Sequence, residues 1–285
     1  MKTIVLTEKE NREGSVLLLG GFDGVHVGHR RLLTRALSLS RPVGFMTILG
    51  GKGDVLFTAT ERAQIFARLG ADFVFETRFE EIKDVGAEEF LALLEEKFSP
   101  AAYVCGDDFR FGKGASGDVH TLQERAGRST FVEELLKIDG EKVSATKIKA
   151  LLSAGKVEAA NALLCGDFFL TGKVESGRKV GRTIGFPTAN IRYPKEKFPI
   201  KQGVYRTEVT TCGVAYRGIT NFGGRPTFGN DEVWTETCLL GFSGDLYGKT
   251  LTVVFKEYLR DIKKFDGAEQ LKKQLTEDME YVANH

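Results

Sequence analysis

Between residues 15 and 132, five short apolar runs alternate with four longer amphipathic ones, and after Gly166 that alternation stops. The runs at 15–19, 42–48, 72–75, 102–104 and 129–132 have strand length, while the stretches at 29–39, 59–69, 87–98 and 118–126 repeat their apolar residues with a helical period. Strand–helix alternation of this kind predicts a parallel sheet covered on both faces, with ligands at the carboxyl ends of its strands. Two more helices are expected at 144–153 and 157–164, the first capped by Ser144. Runs at 168–174, 204–211, 214–221, 235–242 and 250–259 then read as strands joined by tight turns, closed by an amphipathic helix at 267–282. That second texture predicts a small antiparallel barrel or sandwich. The expected boundary lies near residues 155–167.

Composition narrows the class. The 285 residues suffice for two domains, and 42% hydrophobic with 28% charged residues is globular composition. Forty basic against thirty-nine acidic side chains leave a net charge of +1, which removes any global drive toward nucleic acid or acidic membranes. No apolar run approaches the ~20 residues needed to span a bilayer, and the first nine residues turn polar too early for a secretory signal. Cys105, Cys165, Cys212 and Cys238 lie far apart with no metal-binding spacing, so reduced and mostly buried thiols in a cytoplasmic protein are expected.

The densest chemistry is in Gly20-Gly21-Phe22-Asp23-Gly24-Val25-His26-Val27-Gly28-His29. It joins a strand to a helix, so Gly21, Phe22, Asp23, Gly24 and Gly28 bring backbone N–H groups to a helix N-terminus, where a polyphosphate is favoured. His26 and His29 are three apart and share one side of a helix. Hydrogen bonds to a phosphate during group transfer are the chemical reading; a capping or surface pair and half of a metal site are the alternatives.

A second glycine-rich, cationic stretch runs from Gly172 and Lys173 through Gly181 and Arg182, followed by Gly185-Phe186-Pro187-Thr188-Ala189-Asn190. Backbone donors with Lys and Arg suit a polyphosphate, and the oxygens of Thr188 and Asn190 suit Mg²⁺. A basic turn without a ligand is the alternative. Two further glycine motifs are expected to be decoys. Residues 112–117 fit Gly-x-Gly-x-x-Gly but do not directly follow a strand, and read as a mobile loop. Residues 244–250 miss the phosphate-loop spacing by one and read as a turn.

The first segment resembles the His-x-Gly-His signature of nucleotidyltransferases that split ATP between its α and β phosphates. Its fuller form is similar to the FMN adenylyltransferase half of prokaryotic bifunctional riboflavin kinase/FAD synthetases. Residues 106–112, Gly-Asp-Asp-Phe-Arg-Phe-Gly, and residues 144–149, Ser-Ala-Thr-Lys-Ile-Lys, resemble two later motifs of that family. Gly-Phe-Pro-Thr-Ala-Asn, the segment 221–228 and Glu236 resemble its riboflavin kinase half. The motif order agrees along almost the whole chain. Lys149 stands where the family carries Arg, Ala145 where it carries a hydroxyl residue, and residues 49–54 replace an aromatic-x-His-Pro segment on the flavin side. Asp261-Ile262 likewise replaces the usual Pro-Glu.

The resemblance implies a Rossmann-like nucleotidyltransferase domain over residues 1–160 and an antiparallel riboflavin kinase barrel with a closing helix over 161–285. It implies phosphorylation of riboflavin to FMN by ATP, then adenylylation of FMN to FAD. Catalysis would fall to Glu236, His26 and His29. Asp108, Ser144, Thr146 and Lys149 would join the glycine-rich segments in nucleotide binding, Thr188 and Asn190 would hold Mg²⁺, and Phe109, Phe111 and Arg260 would meet the flavin. Partners would be small molecules only, with neither nucleic acid nor membrane, and a weak homo-oligomer is compatible. A kinase with weakened or lost adenylyl transfer and a non-catalytic flavin or nucleotide sensor are the rival expectations.

Overall fold

The computed structural model describes residues 1–5, 12–51, 53–134, 136–176, 185–211, 213–224 and 232–285. Two compact units emerge, Met1–Lys147 and Ile148–His285. The resemblance set the division at residue 160.

The first unit opens with β1 (Lys2–Val5) and β2 (Val16–Leu19), followed by α1 (Val27–Ser38), β3 (Val43–Leu49), α2 (Ala59–Arg68) and β4 (Phe73–Arg78). Next come α3 (Phe79–Ile82), α4 (Ala87–Phe98), β5 (Ala102–Gly106), α5 (Val119–Arg125) and β6 (Ser129–Glu133). The six strands form one sheet in the order β1-β4-β3-β2-β5-β6, parallel at every pairing. Each side chain of β2 is buried. Successive strand residues point to opposite faces, so both faces are covered. Local chemistry agrees with the sheet: Thr58 and Glu61 exchange the two hydrogen bonds of a capping box that starts α2.

From β2 the chain turns outward to β3 on one side, while β5 begins the other half of the sheet. The crevice at such a reversal is where open parallel sheets bind ligands. The loop after β2 carries the two histidines, and the loop after β5 carries Asp108. A small hairpin, β7 (Lys137–Ile138) and β8 (Glu141–Lys142), follows β6. Asp139 and Gly140 both have positive φ, the geometry of a two-residue hairpin turn.

β1 and this hairpin were absent from the sequence expectation, as was β10 below. The 112–117 segment is a built loop, closed by paired backbone hydrogen bonds between Phe111 and Gly117. No Rossmann fingerprint forms there. Ser144 caps the next helix as expected, its Oγ accepting from Lys147 N at 3.3 Å.

The second unit takes most of α6 (Ala145–Ser153), then α7 (Val157–Leu163), β9 (Phe169–Lys173), β10 (Ala189–Arg192), β11 (Gly203–Thr211), β12 (Val214–Gly224), β13 (Val233–Leu239), β14 (Thr250–Arg260) and α8 (Ala268–Asn284). Its sheet runs β10-β13-β12-β11-β14-β9, antiparallel at every pairing. A bridge between Glu175 and Asn190 nearly closes it into a barrel. Inside, Thr220 shares hydrogen bonds of 2.9 Å with both Thr207 and Thr237, so these buried hydroxyls satisfy one another. Outside, α8 covers Val204 and Ile219 with Val282. Residues 244–250 form a turn, as expected.

Cys105 and Cys238 are buried and Cys165 half-buried, and these three form no disulfide; Cys212 lies outside the described residues. Burial pushes the Cys105 thiol up to about 12. Such a thiol is inert.

Candidate active sites

In the first unit the turn after β2 is shaped from beneath. Phe22 takes a left-handed backbone (φ 43°) and buries its ring, 1% exposed, edge-on to Phe45 and 4.8 Å from the His29 ring. Any contact between Phe22 and a nucleotide is therefore through its backbone. Asp23 accepts a hydrogen bond of 2.7 Å from Leu56 N, and a side chain at Gly24 (φ 84°) would come within 2.4 Å of Leu56 Cδ1. Glycine is required there. Behind the turn, Arg62 is 2% exposed with Nε unpaired. Burial pushes its guanidinium down, and the charges of Asp23 and Glu76 oppose that.

The two imidazoles stack with centroids 3.7 Å apart and 14° between planes. The His26 backbone N–H donates to His29 Nδ1 at 3.2 Å, which leaves the proton of a neutral His29 on Nε2. His26 Nδ1 is buried with no hydrogen-bond partner. Lys142 of β8 forms an ion pair with Asp108, and its charge acts on both histidines. Burial, then Lys142, lowers His26 to about 4; burial, then His26 and Lys142, holds His29 well below its ordinary value of 6.5. Both rings are therefore neutral at neutral pH. Two uncharged imidazoles, a lysine and the N-terminus of α1 thus converge on one crevice, and together they suit a polyphosphate.

A stability consequence follows. The unfolded chain protonates His26 near 6.5 and the folded chain near 4, so between these values the unfolded state binds more protons. The contribution is whole above pH 6.5 and is lost as pH falls toward 4, on the order of 3 kcal/mol for His26 alone. Thermal melts of the full chain across this window are expected to show the first unit losing stability on acidification, and His26→Gln is expected to flatten the slope. An unchanged slope in the variant would assign the acid sensitivity to other groups.

In the barrel, side-chain alternation sets the second site. Thr235 and Thr237 point inward and are fully buried, so Glu236 between them points outward. Register places Asn190 of β10 and Asn221 of β12 on either side of Glu236. One carboxylate and two carboxamides thus form a row across three strands, one pleat from the Ile219 covered by α8. Asn190 is 4% exposed, and its Nδ2 donates to the Thr188 carbonyl at 3.4 Å. These hard oxygen donors suit Mg²⁺, which commonly takes only one or two protein ligands beside substrate phosphates.

The family comparisons agree with this division. A family model described as FAD synthetase matches residues 8–147, and one described as riboflavin kinase matches residues 164–285. The bifunctional riboflavin kinase/FMN adenylyltransferase of Escherichia coli K12 is 33% identical over 94% of this chain and 91% of its own length. The chain belongs to the bifunctional riboflavin kinase/FMN adenylyltransferase family. The Bacillus subtilis member is 31% identical over 98% of this chain and 96% of its own. A solved Streptococcus pneumoniae structure, described as a macrolide-efflux protein, shares the fold over 99% of both chains with TM-score 0.89 at 27% identity. Among the described residues here, no helix is long and apolar enough to cross a membrane.

In this family member, Gly21 has open space around its Cα, and Gly28 packs against the His26 ring. Ser144 is half-buried and Thr146 exposed, both close in sequence to Lys142. Lys149 sets its Nζ 5.6 Å over the Phe198 ring. Gly172 lies against Ile191 with no room for a side chain, and Lys173 is exposed at the end of β9. Gly181, Arg182 and residues 225–228 of the 221–228 motif lie outside the described residues. Phe111 is buried in the core and stacks on half-buried Phe109 at 5.5 Å. Arg260 clamps the nearly buried Asp278 of α8, with Nη2 to Oδ2 at 2.6 Å.

The candidate list from sequence omitted Lys142, Arg62 and Asn221. Asn221 sat in a quoted motif, and strand alternation paired with Glu236 would have found it. Nothing local marked the other two.

Proposed function

We propose that the chain makes FAD from riboflavin in two ATP-dependent steps, one in each unit. The observation that carries this reading is the presence, in one chain, of an FAD synthetase unit and a riboflavin kinase unit with bifunctional relatives over nearly its full length.

In the barrel, Glu236 takes the proton of the ribityl 5′-hydroxyl as that oxygen bonds to the γ phosphorus, and the bond to ADP breaks. Asn190 and Asn221 orient the carboxylate from either side. Thr188 and Asn190 would hold Mg²⁺ with the nucleotide, where the ion neutralises phosphate charge. Lys173 and Arg182, with the glycines at 172 and 181, serve the phosphates.

In the α/β unit the FMN phosphate attacks the α phosphorus of ATP and pyrophosphate leaves, so no enzyme nucleophile is needed. His29 donates from Nε2, and His26, Lys142 and the α1 N-terminus stabilise the charge that shifts along the phosphates. Ser144 and Thr146 add donors, and Asp108 orients Lys142. Phe109 meets the flavin with Phe111 behind it, and Arg260 is assigned to the flavin end of the kinase site. A cytoplasmic location fits this use of ATP.

Purified protein given riboflavin, ATP and Mg²⁺ is expected to accumulate FMN and then FAD, and to make FAD directly when given FMN. FMN without FAD would leave only the kinase. Flavin binding without ATP turnover would reduce the protein to a sensor.

A further inference from the structure

Three consecutive residues of the histidine turn rest on α2 or on the segment that leads into it. Phe22 sets its ring edge-on to Phe66 at 6.2 Å, Asp23 accepts from Leu56 N, and Gly24 closes on the Leu56 side chain. The Phe22 ring in turn meets His29. Between Leu56 and Phe66, α2 buries one positive charge, Arg62, which the chemistry of neither step uses.

Layering places that charge. Phe73 and Phe75 of β4 pack on Phe98 of α4, so by alternation Glu76 faces the opposite layer, that of α2. In β3, Phe45 stacks on Phe66 of α2 at 4.2 Å, so Thr47, two residues on, faces α2 as well. Register pairs Thr47 with Glu76. Because α2 joins two parallel strands, it runs back against their direction. From Phe66 to Arg62 is about 6 Å along the helix, and from Phe45 to Thr47 about 6.6 Å along the strand. Arg62 therefore lies over Thr47 and Glu76, at the carboxyl end of the sheet, where the turn after β2 emerges. The charges of Asp23 and Glu76 both act on it. A buried guanidinium persists only beside such counter-charges, and a carboxylate facing it depends on the guanidinium in return.

We infer that Arg62 is a positioning residue for adenylyl transfer: its buried guanidinium is the counter-charge that seats Asp23, and with it the Phe22–Gly24 turn that leads to His26 and His29. The inference rests on the adenylyl-transfer reading above. It has an electrostatic consequence. The charged and titratable groups that act on His26 are Lys142, Asp108, Asp23 and His29. With Arg62 in place the charge of Asp23 is matched. Without Arg62, Asp23 is an unmatched carboxylate that favours a protonated His26.

The test uses the full-length protein with Arg62→Met, Arg62→Lys and the double variant Arg62→Met with Asp23→Asn. Arg62→Met keeps the apolar stem and removes the charge. It is expected to slow FAD formation from FMN by about 10–10²-fold in kcat, with both KM values within about twofold and the kinase step unchanged. In NMR titrations of the four histidine rings, His26 of this variant is expected to titrate about one unit above the wild type. Arg62→Lys keeps the charge and is expected to hold His26 at its wild-type position and to recover most of kcat. The double variant removes both charges and is expected to return His26 toward the wild type. A wild-type kcat in folded Arg62→Met would overturn the inference. A lower kcat with His26 unmoved would reduce Arg62 to packing and overturn it equally. The ring titration needs no turnover, so it reads Arg62 even if the wild type makes no FAD, the result that would overturn the adenylyl-transfer reading itself. If Arg62→Met fails to fold, Arg62→Gln against Arg62→Lys decides: a slower step and a raised His26 in Gln alone support the inference, and equal behaviour of the two overturns it.

Discussion

Glu236→Gln is expected to lower FMN formation by about 10²–10⁴-fold while leaving FAD formation from supplied FMN at the wild-type rate. The substitution keeps shape and polarity and removes the basic oxygen. Glu236 lies on the outer face of β13, half-buried between Asn190 and Asn221, so a neutral amide there is accommodated without a cavity. Thermal melting of the variant is expected to match the wild type. The loss should appear in kcat, because the proton leaves the ribityl hydroxyl only in the transition state. The kinase step measured alone, with riboflavin and ATP, checks this. Near-normal FMN formation by a folded Glu236→Gln protein would remove the carboxylate from the mechanism.

The second large effect belongs to the stacked imidazoles. His29→Ala is expected to slow FAD formation from FMN by about 10²–10³-fold, the range seen when one preorganised donor to a developing charge is removed. Riboflavin would still be converted to FMN, which then accumulates. The tautomer sharpens the expectation. His29 Nδ1 accepts from the His26 backbone, so the donor is Nε2, and Gln, whose amide reaches that position, should lose less than Asn. Both rings are neutral well below pH 6.5, so adenylyl transfer should show no imidazole titration between about pH 6 and 8. A pH–rate profile on the FMN and ATP reaction reads this directly. A fall in rate through that range, abolished by His29→Gln, would mean that a charged imidazole carries the step.

Much of this organisation is legible in the linear chain. The change of texture near Gly166 announces a parallel sheet followed by an antiparallel one, because side-chain period and turn residues are local properties. Both segments proposed to meet the substrates are local too: Gly20 to His29 and Gly185 to Asn190 are contiguous. β10 was hidden because the turn chemistry of Gly185-Phe186-Pro187 dominates its four residues, and its pairing partner is more than forty residues away. β1 was hidden because four residues become a strand only where β4 offers an edge.

What the sequence alone determined is thus the order of the main elements and the choice of most candidate side chains. Tertiary structure decided which of them meet. Register across three strands puts Asn190, Glu236 and Asn221 in one row. A two-residue turn carries Lys142 to Asp108 beside the histidines, and burial strips both imidazoles of charge. Register, long-range pairing and desolvation depend on segments far apart in the chain, so no local pattern of residues encodes them.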